Sequence, residues 1–300
     1  SAASDVYKRQ EYTVSNVIGS DIILDGDMYN INSNTTTYYK SQALTYENAA
    51  MQAEKGDTFK LFKNSNGSVD YAMLEYCIRD DLKLKRPRMA AILDPIKLVI
   101  TNYPEGEGEL VDVPNNQENE EMGTRQVPFS RELYIEREDF KIEKPKKYRR
   151  LYVGNEVRLM NAYFVTCTGY DVDEDGNVTC VYATYDPESR GGNSPDGRKV
   201  RGTIHWVSVP TAKKAEIRLY ENIVDEEKGV YNEDGSINVN PNSLTVIKEA
   251  YVEPELEKYD KEDSFQFMRT GYFCLDSKDS TKEHMVFNRI VSLKSSYKPN

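Results

Sequence analysis

The feature that most restricts this chain is a run of short segments in which β-branched and aromatic residues alternate with polar ones, each ended by turn chemistry. From Ile96 onward such segments occupy 96–100, 109–113, 132–135, 157–166, 177–185, 200–208, 216–220, 244–251, 265–267 and 285–291. Between them lie Glu105-Gly106, Asp175-Gly176-Asn177, Asp196-Gly197 and Asp234-Gly235, dipeptides and tripeptides that favour tight reversals. In 157–166, Val157, Leu159, Asn161, Tyr163 and Val165 alternate with Arg158, Met160, Ala162, Phe164 and Thr166. A period of two sends successive side chains to opposite faces of a sheet. Many short strands spaced this way predict a mainly β chain of sandwich or barrel type, in place of a parallel α/β sheet. About 200 residues exceed one small barrel, so two antiparallel β-barrels are expected.

What precedes the strands differs in character. Ser68 and Asp70 suit the N-terminal end of a helix, as cap and as complement to its dipole. Val69, Ala72, Met73, Tyr76 and Cys77 then share one face at helical spacing. Pro87 stops continuation, which leaves an amphipathic helix of about three turns followed by the basic stretch Lys83-Leu84-Lys85-Arg86-Pro87-Arg88. Residues 11–63 are rich in Asn, Thr, Ser and Tyr. A strand over 21–24 and a helix over 45–55 are expected there, and no function is assigned to the segment. The first ten residues, SAASDVYKRQ, read as adaptor sequence and are set aside.

Composition excludes several function classes. No stretch approaches 18 consecutive apolar residues; the best run, 89–100, is interrupted by Asp94, Pro95 and Lys97, so no membrane partner is expected. No signal-peptide pattern is visible. Cys77, Cys167, Cys180 and Cys274 show no CxxC spacing, against a zinc ribbon or thioredoxin motif; reduced thiols and a cytoplasmic location are expected. The run 171–176 matches half of a calcium loop, yet Tyr182 stands where a bidentate Glu is needed and a strand follows. An acidic β-hairpin turn without a metal is the expectation. The chain has two histidines, His205 and His284, and His205 beside Trp206 reads as a packed or hydrogen-bonded ring. With no GxSxG, no GxxxxGK[ST] and no GxGxxG, no catalytic residue and no cofactor are assigned.

The formal charge is −11, which speaks against a nonspecific nucleic-acid binder and against DNA as a partner, but the cations are clustered. Residues 141–150, KIEKPKKYRR, hold six cations against one acid. A second cluster combines Arg190, Arg198, Lys199 and Arg201, flanked by Tyr185 and Trp206. Cations interleaved with aromatics suit RNA, where phosphates take the charge and splayed bases stack on rings. From charge alone, a solvated basic loop fits as well. On an RNA reading, the acidic runs 105–121 and 225–234 face away from it.

Longer segments carry a resemblance. VDYAMLEYCIRDDL (69–82), LDPIKLVI (93–100), EEMGTRQVPFSRELYIEREDF (120–140), GNEVRLMNAYF (154–164), DGRKVRGTIHWVS (196–208) and FQFMRTGYFCLDS (265–277) resemble, in this order, the C-terminal part of bacterial-type glutaminyl-tRNA synthetase. About 230 of the 300 residues are covered. Glutamyl-tRNA synthetases of the archaeal or eukaryotic type share the architecture and are the near alternative. The resemblance implies a stem-contacting helical segment over 68–94 and anticodon-binding barrels of the ribosomal protein L25-like kind over 95–300. The distal barrel is expected over 145–260, and the proximal one over 95–144 with 261–300. It implies the anticodon of tRNA(Gln) as partner, its bases unstacked into separate pockets. By that resemblance Arg125 and Gln266 match positions for the middle uridine; Arg198, Lys199 and Tyr185 match the region for the flanking bases. Lys146, Lys147, Arg149 and Arg150 are cast as phosphate contacts, which position without specifying. This requires Arg125 and Gln266 to lie together and open to solvent.

The departures from the family matter too. With histidines only at 205 and 284, no HIGH-like motif exists in this sequence, and Ser292-Leu293-Lys294-Ser295-Ser296 reads as a polar tail in place of a KMSKS-like signature. Residues 11–67 resemble none of the family's catalytic sequence, so a truncated or chimeric origin with a break near 64–68 is expected. The ATP and magnesium of the full-length family enzyme have no site here, and the chain alone is expected to be monomeric and inactive as a glutamine–tRNA ligase. Two rival readings are a catalytically complete ligase and a carbohydrate- or protein-binding β module, the latter consistent with the 22 tyrosines and the acidic balance.

Overall fold

The computed structural model describes residues 71–294 except 225–228 and 262, together with the backbone of five earlier strands. The chain divides into two units, 1–81 with 294–300 and 82–293. In the first, β1 (Gln10–Ile18), β2 (Asp21–Leu24), β3 (Thr36–Tyr39), β4 (Gln42–Thr45) and β5 (Thr58–Phe62) form an antiparallel sheet in the order β2-β1-β5-β3-β4. The strand expected over 21–24 is β2. Thr45, the first residue of the expected helix, closes β4, and the remainder of that helix lies outside the described residues.

Helix α1 (Tyr71–Lys85) is the amphipathic element read from the sequence. Met73 and Leu82 are buried while Tyr76 and Cys77 are half-buried; Ser68, Val69 and Asp70 lie outside the described residues. Lys83 and Lys85 occupy the last turn, where cations complement the carbonyl end of the dipole. Arg86 still donates to Leu82 O at 3.0 Å, and Pro87 has no N–H with which to extend the ladder.

Beyond the last turn of α1, the second unit is built of strands joined by loops and short 3-10 turns. Its strands are β6 (Arg88–Met89), β7 (Ala91–Ile92), β8 (Pro95–Ile100), β9 (Gly108–Pro114), β10 (Thr124–Ser130), β11 (Glu132–Glu136), β12 (Glu156–Leu159), β13 (Phe164–Val172), β14 (Val178–Asp186), β15 (Thr203–Ile204), β16 (Val207–Ser208), β17 (Lys213–Tyr220), β18 (Leu244–Val252), β19 (Ser264–Phe267), β20 (Gly271–Leu275) and β21 (Met285–Ser292). One sheet runs β15-β12-β13-β14-β8-β11-β16, another β6-β19-β20-β21-β17-β18-β7, and β9 pairs with β10 as a hairpin. In each large sheet the two edge strands are halves of one short segment, 203–208 in the first and 88–92 in the second. A segment that serves both edges curls the sheet on itself and leaves little free edge. The result is a nearly closed barrel and a half-barrel.

Alternation fills each interior. Ile96, Leu98 and Ile100 meet Val157, Leu159, Val165, Val181 and Trp206 in the first core, where Phe129 from the hairpin stacks edge-on to Trp206 at 5.1 Å. Phe265, Phe267, Phe273 and Phe287 centre the second. Between the cores, Ala90, Ile92 and Val207 form a small cluster of their own.

Three details differ from the sequence reading. The strand expected over 157–166 is two strands, because Asn161 sits at φ 60, a left-handed turn conformation that Asn tolerates. Within 200–208 only 203–204 and 207–208 form strands, with His205 and Trp206 buried between them. The barrel boundaries also fall elsewhere: β8 and β11 pair with β14 and β16, and β17 and β18 pair with β21 and β7. One sheet therefore draws on 95–208 and the other on 88–92 with 213–292, a division other than that at 144/145 and 260/261. Pairing is mostly antiparallel, with parallel contacts at β12–β15, β14–β8, β17–β21 and β19–β6.

Candidate nucleic-acid interface

Folding merges the two basic clusters of the sequence. Lys144, Lys147 and Arg149 face Lys199 and Arg201 across a cleft of about 520 Å³, whose other lining residues include Tyr148, Tyr152, Asn155 and Glu156. All five cations are exposed, and none is ion-paired among the described residues. Closeness of the walls is enforced by Gly202: a Cβ there would stand 2.0 Å from Arg149 O. Lys147 adopts φ 68, an uncommon conformation for a residue with a side chain. Lys144 lies 5.1 Å from the centre of the Tyr152 ring. Unpaired cations beside aromatic rings repel one another and attract a polyanion that carries stacking groups.

The one carboxylate in the cleft is already engaged. Glu156 takes Arg198 Nε and Nη2 at 3.0 and 2.9 Å, and Asp186 takes Nη2 at 2.5 Å. Glu156 first, then Asp186 and Asp196, hold the Arg198 guanidinium well above its usual pKa. The Arg198 backbone N–H is the main cause that holds Asp196 down at about 2. Arg198 also lies over the Phe164 ring at 5.2 Å, with Arg158 near the same ring at 5.3 Å. Arg198 is thus a buttress of the cleft wall, while its neighbour Lys199 points a free charge into it.

Other expected contacts are spread unevenly. Lys146 is exposed next to Lys147. Arg150 instead turns to Glu138 at 2.7 Å and Asp139 at 2.9 Å. Tyr185 is half-buried against Tyr103 and Tyr163, at 5.3 and 5.0 Å, and Trp206 is buried with Nε1 donating to Met160 O. The rings expected to flank the basic cluster therefore belong to the core. Tyr148 and Tyr152 take the place beside the cations, an assignment that run 141–150 signals only through its single tyrosine. Arg190 is fastened to Glu109 at 3.1 Å, a carboxylate that also accepts from Tyr103 and Tyr163; burial first, then Glu109, push both phenols up to about 12.

Arg125 and Gln266 both adjoin Arg88. Gln266 is the ladder partner of Arg88 in the parallel β6–β19 pair, and Arg88 O accepts from Arg125 Nη2 at 2.8 Å. The expected openness to solvent is not met: Arg125 is buried and Gln266 is open only in part. The Arg125 side chain is 5% exposed, on the inward-facing register of β10. A buried cation requires a counter-charge, which Glu253 supplies at 2.8 Å to both Nε and Nη2. The Nη1 contacts are longer, 3.2 Å to Asn115 Oδ1 and 3.5 Å to Pro114 O. Gln266 is half-buried, and its Oε1 is hidden with no hydrogen-bond partner among the described residues. Nothing in the sequence pointed to Glu253, which follows β18 and is one of three alternating acids with Glu255 and Glu257.

A charged cluster ties the turn between β19 and β20 to the basic run. Arg269, at φ 67, donates to both oxygens of fully buried Asp139 at 2.7 and 2.9 Å and to Glu138. His205 donates from Nε2 to Ala91 O at 3.0 Å and accepts at Nδ1 from Arg269 at 3.3 Å, which suits a neutral ring. Burial first, then Arg269, pull its pKa down to about 4. Glu136 accepts from the Leu93 and Asp94 N–H groups at 2.8 and 3.0 Å, fixing the turn between β7 and β8. In the 171–176 run, Asp173 Oδ1 accepts from Asp175 and Asn177 N–H groups, so this carboxylate closes the β13–β14 hairpin.

Comparisons with known proteins agree on one family. The anticodon-binding domain of class I tRNA synthetases (E and Q) matches residues 87–186, and a second such domain matches 203–276. The glutamine–tRNA ligase of Clostridium kluyveri is 56% identical over 232 residues, 77% of this chain and 42% of the relative. Those of Vibrio vulnificus and Clostridium perfringens are 50% and 49% identical, over 76% and 78% of this chain and 41% and 42% of the relatives. The chain thus spans about two fifths of the length of the relatives it matches.

Proposed function

Because the chain belongs, through its two anticodon-binding domains, to the class I tRNA synthetases of the E and Q group, we propose that it reads the anticodon of tRNA(Gln) as the C-terminal part of a glutamine–tRNA ligase. The observation that carries the reading is the cleft in which five unpaired cations and two tyrosine rings converge. Phosphates of a splayed loop neutralise Lys144, Lys147, Arg149, Lys199 and Arg201, with Lys146 beside them, while unstacked bases meet rings and hydrogen-bonding groups. Arg125 and Gln266 serve the middle uridine. Arg125 does so through Nη1, whose bonds are its longest; a carbonyl acceptor of the base replaces them. Lys199 serves a flanking base, with Arg198 and Tyr185 as supports.

In this role the chain is monomeric and cytoplasmic and carries no adenylation chemistry, which the ligase performs with ATP and magnesium elsewhere in its length. The relatives are glutamine–tRNA ligases, which favours glutamine over glutamate. No helix among the described residues is long and apolar enough to cross a membrane. Filter binding of the full chain at moderate salt tests the reading: tRNA(Gln) is expected to bind at least tenfold tighter than an unrelated elongator tRNA. Equal affinities would overturn it.

A further inference from the structure

We propose that Glu253 is a positioning residue for base recognition: it clamps one edge of the Arg125 guanidinium and thereby aims Nη1 at a single nucleobase carbonyl. The inference rests on the reading that Arg125 and Gln266 serve the middle uridine. It goes beyond that reading by assigning a residue that touches no RNA.

Glu253 is itself immobilised. Its side chain is 2% exposed. Its Oε1 accepts from Ala90 N at 2.5 Å, and its own N–H donates to Ala90 O at 3.3 Å. The reciprocal pair locks the carboxylate to the 88–92 segment that supplies both edges of the second sheet. From that fixed base it holds Arg125 Nε and Nη2 at 2.8 Å in the bidentate geometry peculiar to guanidinium and carboxylate. The second Nη2 proton goes to Arg88 O at 2.8 Å. Three of the five donors of Arg125 are thus committed to short bonds on one side, and only Nη1 keeps long ones, to residues that are half-buried.

Arg125 and Gln266 both adjoin Arg88, one bonded to its carbonyl and the other paired with it in the ladder, and a donor and an acceptor presented together have a specific complement. Gln266, ladder partner of Arg88, carries an Oε1 with no hydrogen-bond partner among the described residues. Uracil offers an N–H flanked by carbonyls, which matches one acceptor and one donor; cytosine offers a ring acceptor and an amino group in those places. A freely rotating arginine could adapt to either base. A clamped one cannot, and the wrong base leaves a buried polar group unmade, the arrangement that gives strong discrimination. A purely structural Glu253 would hold the hairpin to the second sheet without affecting which base is chosen.

The test compares the full chain with its Glu253→Gln, Glu253→Asp, Arg125→Ala and Arg125→Ala/Glu253→Gln variants. Each is titrated with a tRNA(Gln) transcript and with the same transcript carrying cytidine at the middle anticodon position. The readout is the ratio of the two dissociation constants, measured below each variant's thermal midpoint. Arg125→Ala is expected to lower the ratio about tenfold. Glu253→Gln should lower it by a similar factor, Glu253→Asp by about threefold, and the double variant no further than Arg125→Ala alone. If Arg125→Ala lowers the ratio while Glu253→Gln only weakens both RNAs equally, Glu253 is structural and the inference fails with the anticodon reading intact. If Arg125→Ala leaves the ratio unchanged, the reading fails and takes the inference with it. Should Glu253→Gln not fold, Glu253→Asp decides, and an unchanged ratio there refutes the clamp.

Discussion

Removing two cations from opposite walls of the cleft should change how steeply RNA binding depends on salt. Arg149 and Lys199 are exposed, unpaired among the described residues, and placed on facing segments. Each cation that neutralises a phosphate releases a condensed counterion, and on single-stranded RNA the logarithm of affinity falls by about 0.7 per contact per decade of salt. Five contacts from the cleft give a slope of about −3.5, and three contacts about −2. Raising salt from about 50 to 200 mM should therefore weaken the unmodified chain about 100-fold and the Arg149→Ala/Lys199→Ala variant about 20-fold. The assay is filter binding or fluorescence anisotropy with tRNA(Gln) over that range. Lys214→Ala/Lys258→Ala serves as control, since those lysines pair with Glu249 and Glu255 outside the cleft, and it should leave the slope alone. A slope unchanged by Arg149→Ala/Lys199→Ala, or reduced as much by the control, would mean that phosphates do not enter this cleft.

Two further substitutions probe the scaffold. Gly202→Ala places a Cβ 2.0 Å from Arg149 O; the forced backbone shift should cost about 1–3 kcal/mol and weaken RNA binding. Gly169→Ala, which meets nothing within 4 Å, should do neither, as thermal melts and titrations of both variants will show. His205 predicts a pH dependence. Its folded pKa of about 4 lies below the unfolded value of about 6.5, so the unfolded chain binds the proton first and stability falls as pH drops below 6.5. From pH 7 to pH 5 this amounts to about 2 kcal/mol. Glu136, pushed up by burial, works in the opposite direction. Denaturant titrations of the unmodified chain and His205→Gln therefore isolate the histidine: the variant should lose about 2 kcal/mol less over that interval, and identical losses would contradict a buried neutral ring.

Strand positions were legible because alternation is a local signal; 96–100, 132–135, 177–185 and 244–251 match β8, β11, β14 and β18 to within a residue or two. Which strands share a sheet was not legible. Pairing depends on contacts such as β14 with β8, far apart in sequence, and alternation carries no partner label. Strand β10 was not among the expected segments, since polar Thr124, Arg125 and Gln126 show no apolar alternation and Pro128 disfavours a strand. The cations of the cleft were visible as charge clusters, yet nothing local separates Lys199, which is free, from Arg198, which is tied to three carboxylates. Burial of Arg125 was similarly hidden, because its counter-charge Glu253 is 128 residues away. The identity of the region came from long matching segments, since no short motif of catalytic type was present to argue from.

The central claim is that the barrels open an anticodon loop and engage its bases individually. Chemical footprinting of tRNA(Gln) on the full chain, with reagents that modify the Watson–Crick edges of unpaired bases, tests it most directly. All three anticodon bases should be shielded in proportion to bound chain, with the acceptor end remaining reactive. Shielding elsewhere on the RNA while the anticodon bases keep their full reactivity would contradict the claim.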